Sequence, residues 1–230
     1  MKRINRLMSN MPIPYARVAD SGMSLIEVIV AISIMGIVAT SAILLAISSV
    51  ASTTTQQRRQ VAVAVASNAM ETVTAYTLAL NNATGESRIY DGRLQGKVSA
   101  AWTASTGSPG VGTTYPRWDT SATVTSRPVI SIDTANPVND PTPKTVLNGT
   151  EYRVRTLIGA CYQPNSGGVC ALLSGQSVPP TTEPAGYSKL IRVMVIVSWT
   201  AGDGCAAGAC TYQTTTLLDP HQDLKWNVNG

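Results

Sequence analysis

The sequence predicts an α+β protein in which one long amino-terminal helix precedes a carboxyl-terminal antiparallel sheet. Three observations lead to this class. Residues 28–50 form an apolar run without a charge, and helical periodicity resumes between Val61 and Leu80. The last third of the chain holds three β-prone segments that glycine- and proline-rich links separate.

Composition excludes a disordered, highly charged chain, because only 13% of the 230 residues are charged and 44% are hydrophobic. The net charge of +4 is concentrated at the start, since residues 1–22 carry four basic side chains and one acidic side chain, or +3. The remaining +1 makes a nucleic-acid partner unexpected. The single histidine, His221, argues against His-based catalysis and a multi-histidine metal site. We therefore expect no cofactor and no metal.

The apolar run at residues 28–50 predicts a membrane-spanning helix. Its 23 residues would extend about 35 Å as a helix, against a hydrocarbon core of about 30 Å. The apolar region of a secretory signal peptide has only about 7–15 residues. The basic residues before the run are expected to stay on the cytoplasmic side, with the rest of the chain exported.

Glu27 is a carboxylate at the head of this run, and apolar neighbours on both sides draw it toward the hydrocarbon. A carboxylate in a bilayer is costly and usually has a partner. The alternative is an acidic residue at a helix amino terminus, which the helix dipole favours at the level of the headgroups.

The segment around Glu27 resembles the processing site of type IV prepilins and of the pseudopilins of type II secretion systems. A short basic leader ends in Gly22, and MSLIEVIVAISIMGIVA follows it. The resemblance covers residues 17–50, and its combined motif is highly specific. The family usually has Phe as the first mature residue, so Met23 is a departure from its pattern.

The resemblance implies a leader at 1–22, a membrane and assembly helix at 23–50, and two partners, prepilin peptidase and other pilin subunits. In that family the peptidase cuts after the glycine, here Gly22, and methylates the new amino terminus, here Met23. The family pairs this amine with the glutamate, here Glu27, most often that of a neighbouring subunit. Opposite charges in an apolar bundle favour such a pair, which would set the offset between subunits.

The helix is predicted to continue from Ser24 to about Leu80, because no proline occurs between residues 15 and 108. Residues 51–80 would be its amphipathic second half and pack on a soluble domain, which matches the lollipop shape of the family. The residues predicted to share one buried face are Val61, Val65, Ala69, Val73, Tyr76 and Leu80. Gly36 lies where many relatives have a glycine, whereas Leu44 stands where many have a proline.

Residues 81–230 are predicted to form an exported, β-rich globular domain. Arg88–Ala101 and Ala122–Ile132 are strand candidates in a loop-rich stretch. Clearer strands are predicted at 151–161, 188–200 and 211–218, with their apolar face against the helix. Three aromatic residues in the loop-rich stretch are interpreted as buried anchors rather than as a contact surface: Trp102, Tyr115 and Trp118.

All four cysteines lie in the last third of the chain, and an exported domain can keep them as disulfides. None of their gaps is the two-residue gap of a zinc knuckle or a thioredoxin-type motif. Of the three pairings, we favour Cys161 with Cys170 and Cys205 with Cys210, because each pair brackets a turn-rich segment. Bridges that link the two sites across the sheet are the alternative.

These features predict a structural subunit, a minor pilin or pseudopilin, that begins in the inner membrane as a single-pass protein and then joins a fibre at the cell surface. A monomeric, membrane-anchored binding protein or adhesin, in which Glu27 is incidental, is the alternative. An enzyme is not expected, because the sequence has no Gly-x-Ser-x-Gly elbow, P-loop or metal-ligand cluster.

Overall fold

The computed structural model describes residues 24–77, 79–81, 86–134, 145–180, 182–200, 205 and 209–219. Residues up to Ala51 form one compact unit, and residues from Ser52 form a second, here called the head. The predicted α+β class is confirmed, because a long amino-terminal helix is followed by a five-stranded antiparallel sheet.

The long helix, α1, spans Leu25–Thr77. It begins directly after Ser24, whose carbonyl accepts the amide of Glu27 at 2.9 Å. At its other end the hydroxyl of Ser87 donates to the carbonyl of Thr77 at 2.8 Å, which satisfies one of the carbonyls that a helix end leaves free. The helix therefore ends three residues before the predicted Leu80.

The head consists of a central sheet with α1 on one face and a short second helix on the other. The elements are α2 (Gln95–Thr103), β1 (Tyr115–Pro116), β2 (Thr145–Leu147), β3 (Thr150–Pro164), β4 (Tyr187–Thr200) and β5 (Ala209–Leu218). The strand order is β1-β3-β4-β5, with β2 also paired to β3. The three strands predicted in the last third correspond to β3, β4 and β5.

The register of β3 against β4 separates the two faces of the sheet. Ile158 lies opposite Val193, and both belong to the core under α1. Leu157 lies opposite Met194, and both belong to the core under α2. Both faces of the central strands are thus buried, which explains why β4 is apolar without a break from Val193 to Val197.

The face of α1 that meets the sheet differs from the predicted one. Its fully buried members are Ala62, Ala66 and Val73, whereas Val61 and Val65 are only partly buried. Small alanine side chains let the helix approach the sheet closely, and the larger valines flank the contact. The sixth predicted member, Leu80, lies beyond the helix and is 55% exposed.

Both strand candidates of the loop-rich stretch are wrong. Within Arg88–Ala101 the structure has a 3₁₀ turn at Arg88–Tyr90 and then α2, whose buried Val98, Ala101 and Trp102 follow helical spacing. Within Ala122–Ile132 no strand forms, because the guanidinium of the fully buried Arg93 takes the carbonyls of Ile130 and Ser131. A single bridge, Asp133 to Arg155, joins this segment to β3.

The aromatic residues of the loop-rich stretch are anchors, as interpreted. Trp102 and Tyr115 are buried, and Trp118 is half-buried against the core under α2. The hydroxyl of Tyr115 accepts the amide of Leu173 at 3.1 Å and donates to the carbonyl of Gln176 at 3.0 Å. Tyr115 therefore holds the long loop between β3 and β4 from within.

Candidate functional site

The candidate site is the first part of α1, Leu25–Ala51, which carries the motif singled out in the sequence. Glu27 lies in its first turn, where the positive end of the helix dipole favours a carboxylate. It is the only charged residue between Leu25 and Gln57. Any partner of its charge on this stretch must therefore come from elsewhere.

Fifteen large apolar side chains of this segment are between 40% and 77% exposed. They are Leu25, Ile26, Val28, Ile29, Val30, Ile32, Ile34, Met35, Ile37, Val38, Ile43, Leu44, Leu45, Ile47 and Val50. Water disfavours a continuous apolar surface of this size, so it marks a membrane or a protein interface. By length and composition alone, α1 is suited to cross a membrane.

The hydroxyl groups in the segment bond to its own backbone. Ser33 donates to the carbonyl of Ile29 at 2.8 Å, and Ser41 donates to the carbonyl of Ile37 at the same distance. Thr40 donates to the carbonyls of both Gly36 and Ile37. These internal bonds let the polar side chains enter an apolar environment with their donors satisfied.

Gly36 lies in the middle of the segment, and a Cβ built on it would have no atom within 4 Å. The fold of the chain itself therefore does not require glycine at this position. A glycine on a helix surface lets another helix approach closely.

The structure places Glu27 but not the residues with which the motif would act. Gly22, Met23 and the whole leader, 1–22, lie outside the described residues. Processing after Gly22, methylation of Met23 and the charge pair of Glu27 thus stay predictions at this point.

The two cysteine pairs lie in the head. Cys161 is bonded to Cys170, with 5.4 Å between their Cα atoms, and Cys205 is bonded to Cys210, with 5.1 Å. This is the pairing that the sequence favours. The first bridge joins β3 to the loop after it, and the second joins the start of β5 to the residues before it.

Two buried arginines of the head were missed by sequence reasoning. The guanidinium of Arg93 is fully buried and donates to the carbonyl of Thr156 at 2.7 Å, which ties the residue before α2 to β3. Arg192 on β4 is 9% exposed, and burial lowers the pKa of its guanidinium. One arginine in the apolar run of β4 was a visible signal, but its partners are distant in sequence.

One groove on the head, of about 400 Å³, lies between α1 and the segment that follows Pro128. Its lining includes Val65, Ala69, Ile130 and Val154 and no titratable side chain. Among the described residues there is no group of three or more His, Cys, Asp or Glu side chains placed to hold a metal ion.

Comparison with known proteins identifies the amino-terminal segment. Residues 17–43 match the family model of the prokaryotic N-terminal methylation motif, which is the type IV prepilin-type signal. The predicted prepilin-type signal is thus confirmed for this part of the chain. No curated protein and no solved structure gives a significant match.

Proposed function

We propose that the chain is a structural subunit of a type IV pilus-like fibre, a minor pilin or pseudopilin, processed by prepilin peptidase and assembled through α1. The observation that carries the proposal is the methylation motif at residues 17–43, continuous with an exposed apolar helix. The same apolar surface serves twice, first against lipid and then against the helices of neighbouring subunits.

Cleavage after Gly22 changes what the helix can do. The leader carries a charge of +3, which holds the amino terminus at the cytoplasmic face of the inner membrane. Its removal leaves the α-amino group of Met23 and the carboxylate of Glu27 as the charges at the head of the apolar helix. The helix can then leave the bilayer without carrying four basic side chains through it.

In the fibre, Glu27 pairs with the amine of Met23 on a neighbouring subunit. Either charge alone in an apolar bundle would be strongly disfavoured, because the penalty for burying an unpaired charge is large. The pair therefore selects the offset between subunits more than it adds stability. Four cysteines and long loops in the head favour a minor subunit over the main building block.

The proposal is tested by processing. Full-length chain is co-expressed with a prepilin peptidase, and the amino terminus is read by mass spectrometry. We expect the wild type to lose 22 residues and to begin with N-methyl-Met23. Gly22→Ala should slow or abolish the cut, because a side chain then crowds the scissile backbone.

Gly36→Ala is the matched control, since it makes the same change within the motif segment at a position with open space. It should be cleaved like the wild type. An assembled, exported protein with an intact leader would contradict the proposal and leave a monomeric membrane-anchored binding protein.

A further inference from the structure

Arg192 lies under the turn that precedes β1, on the α2 face of the sheet. One terminal nitrogen of its guanidinium donates to the hydroxyls of Thr113 and Thr114, both at 2.7 Å, and to the carbonyl of Gly110 at 3.3 Å. The other terminal nitrogen donates to the carbonyl of Cys170. Two separate segments of the chain thus meet at one cation.

Every one of these acceptors is neutral. No carboxylate among the residues that the structure describes forms an ion pair with Arg192. A guanidinium stays charged in a protein, so a buried one depends on having its donors satisfied. Loss of one acceptor leaves part of a buried charge unpaired, which costs more than an ordinary hydrogen bond.

The turn that supplies three acceptors is held by the sheet. Tyr115 pairs with Ala160, and Gly159 lies opposite Arg192 on β3. A Cβ at Gly159 would collide with the carbonyl of Tyr115, so glycine here lets the turn approach the sheet. This side of the arginine site is therefore built into the strand pairing.

The fourth acceptor, the carbonyl of Cys170, belongs to the loop after β3. Two features hold it: the disulfide to Cys161, and a bridge in which Tyr162 and Ala171 exchange backbone hydrogen bonds of 2.9 and 3.0 Å. Cys161 lies on the same face of the sheet as Arg192, two residues along β3 from Gly159. The disulfide thus ties this carbonyl to the strand beside Arg192.

We propose that the Cys161–Cys170 disulfide and Arg192 form one oxidation-dependent lock, in which closing the disulfide seats the Cys170 carbonyl on the buried guanidinium and so fixes the turn at 110–114. In the reduced chain this carbonyl is free to move away, and Arg192 loses an acceptor that no other described side chain replaces. The head reaches its final order only where thiols are oxidised. This inference does not depend on the proposed assembly role.

The oxidation itself is thiol–disulfide exchange with a small-molecule disulfide such as oxidised glutathione. The Cys161 and Cys170 thiols each lose one proton and one electron, their sulfurs bond to each other, and the glutathione disulfide is reduced to two thiols. Because coupling is reciprocal, a disulfide that stabilises the site of Arg192 must itself be stabilised by Arg192. Removal of the guanidinium should therefore make this disulfide easier to reduce.

The test is redox equilibration of the processed full-length chain in detergent micelles, with mixtures of reduced and oxidised glutathione. Thiol alkylation and peptide mass spectrometry give the reduced fraction of each disulfide separately. We expect Arg192→Met to shift the equilibrium of Cys161–Cys170 toward the thiols by about tenfold, the size of a typical coupling. Cys205–Cys210, in the same molecules, should not shift.

Arg155→Met is the matched control, because Arg155 lies on the same face but bonds to Asp133 and Ser105 instead of to the cysteine loop. It should leave both disulfides unchanged. An unchanged Cys161–Cys170 equilibrium in Arg192→Met would overturn the lock. Equal shifts of both disulfides would do the same, since they would report only a general loss of stability.

A second measurement avoids the arginine variant. The amide of Thr114 bonds to the carbonyl of Val111 within the turn, so its hydrogen exchange reports opening of the turn. In wild-type sequence otherwise, Cys161→Ser with Cys170→Ser should speed this exchange by about tenfold, whereas Cys205→Ser with Cys210→Ser should not. Unchanged exchange in the first variant would show that the Tyr162–Ala171 bridge alone seats the carbonyl, and the proposal would fall.

Discussion

The two parts of α1 carry similar proportions of apolar residues but meet different surroundings. Before Ala51 the helix presents isoleucine, leucine and methionine, and Leu25 and Met35 are 77% and 75% exposed. Beyond Ser52 its contact with the sheet is made by alanines such as Ala62 and Ala66, which are fully buried. Bulky residues thus lie where the chain offers no partner, and small ones lie where it does.

This difference shows which part of the molecule is self-sufficient. In the head, the buried cations Arg93 and Arg192 find their acceptors within the same unit. In the first part of α1 only the backbone and hydroxyl groups are satisfied, and the apolar surface and Glu27 are not. Stabilisation of that part has to come from lipid or from other subunits, so changes there should affect assembly and leave the head intact.

The largest expected effect separates assembly from folding. Glu27→Ala should abolish incorporation into sheared fibres while membrane insertion and the thermal unfolding of the head stay unchanged. Truncating one partner of a buried charge pair costs roughly 3–5 kcal/mol. Glu27→Gln should behave like Ala, because it keeps the shape without the charge, and Glu27→Asp should be intermediate.

Glu71→Ala is the control for the Glu27 series, since Glu71 is exposed on the second part of the same helix. It should assemble normally. Equal amounts of wild type, Glu27→Ala and Glu27→Gln in fibres would show that Glu27 has no role between subunits and lies at headgroup level.

A smaller effect compares one substitution in the two parts of α1. Ala66→Leu inserts extra methylene groups where helix and sheet touch and should lower the unfolding free energy of the head by about 1–3 kcal/mol. Ala39→Leu adds the same volume to an exposed position and should change it by less than about 0.5 kcal/mol. Chemical denaturation in detergent, followed by tryptophan fluorescence, measures both. Similar losses in the two variants would remove the distinction between the two parts.

The smallest effect appears only at high pH and only in the head. Burial raises the pKa of Tyr90 to about 12, from 10.0, although Arg117 over its ring acts in the opposite direction. The folded head then keeps the proton after the unfolded chain has lost it. The resulting stability is fully present below pH 10 and is lost between pH 10 and 12, by the order of 2 kcal/mol.

Tyr90→Phe should flatten part of this decline in a series of unfolding curves from pH 9 to 12. A residual decline is expected, because burial also raises the pKa of Tyr152 and of Tyr162. A decline as steep as that of the wild type would assign the titration to other groups.

The features that the sequence predicted depend on residues close together in the chain. The apolar run, the methylation motif, the strands β3 to β5 and the pairing of each cysteine with its neighbour all fall in this class. The second helix and the irregular segment at 122–132 did not, because composition marked both as turn-rich and the deciding contact, Arg93 with Ile130, spans 37 residues.

The sequence by itself determined that this chain has an exposed apolar helix with one carboxylate at its head and a disulfide-bonded sheet domain behind it. Only the tertiary structure decided which face of α1 is buried and what surrounds Arg192. Thr113 and Thr114 are 79 and 78 residues from that arginine, and Cys170 is 22 residues away. Local periodicity extends over a few residues, whereas the satisfaction of a buried charge depends on every segment that the fold brings to it.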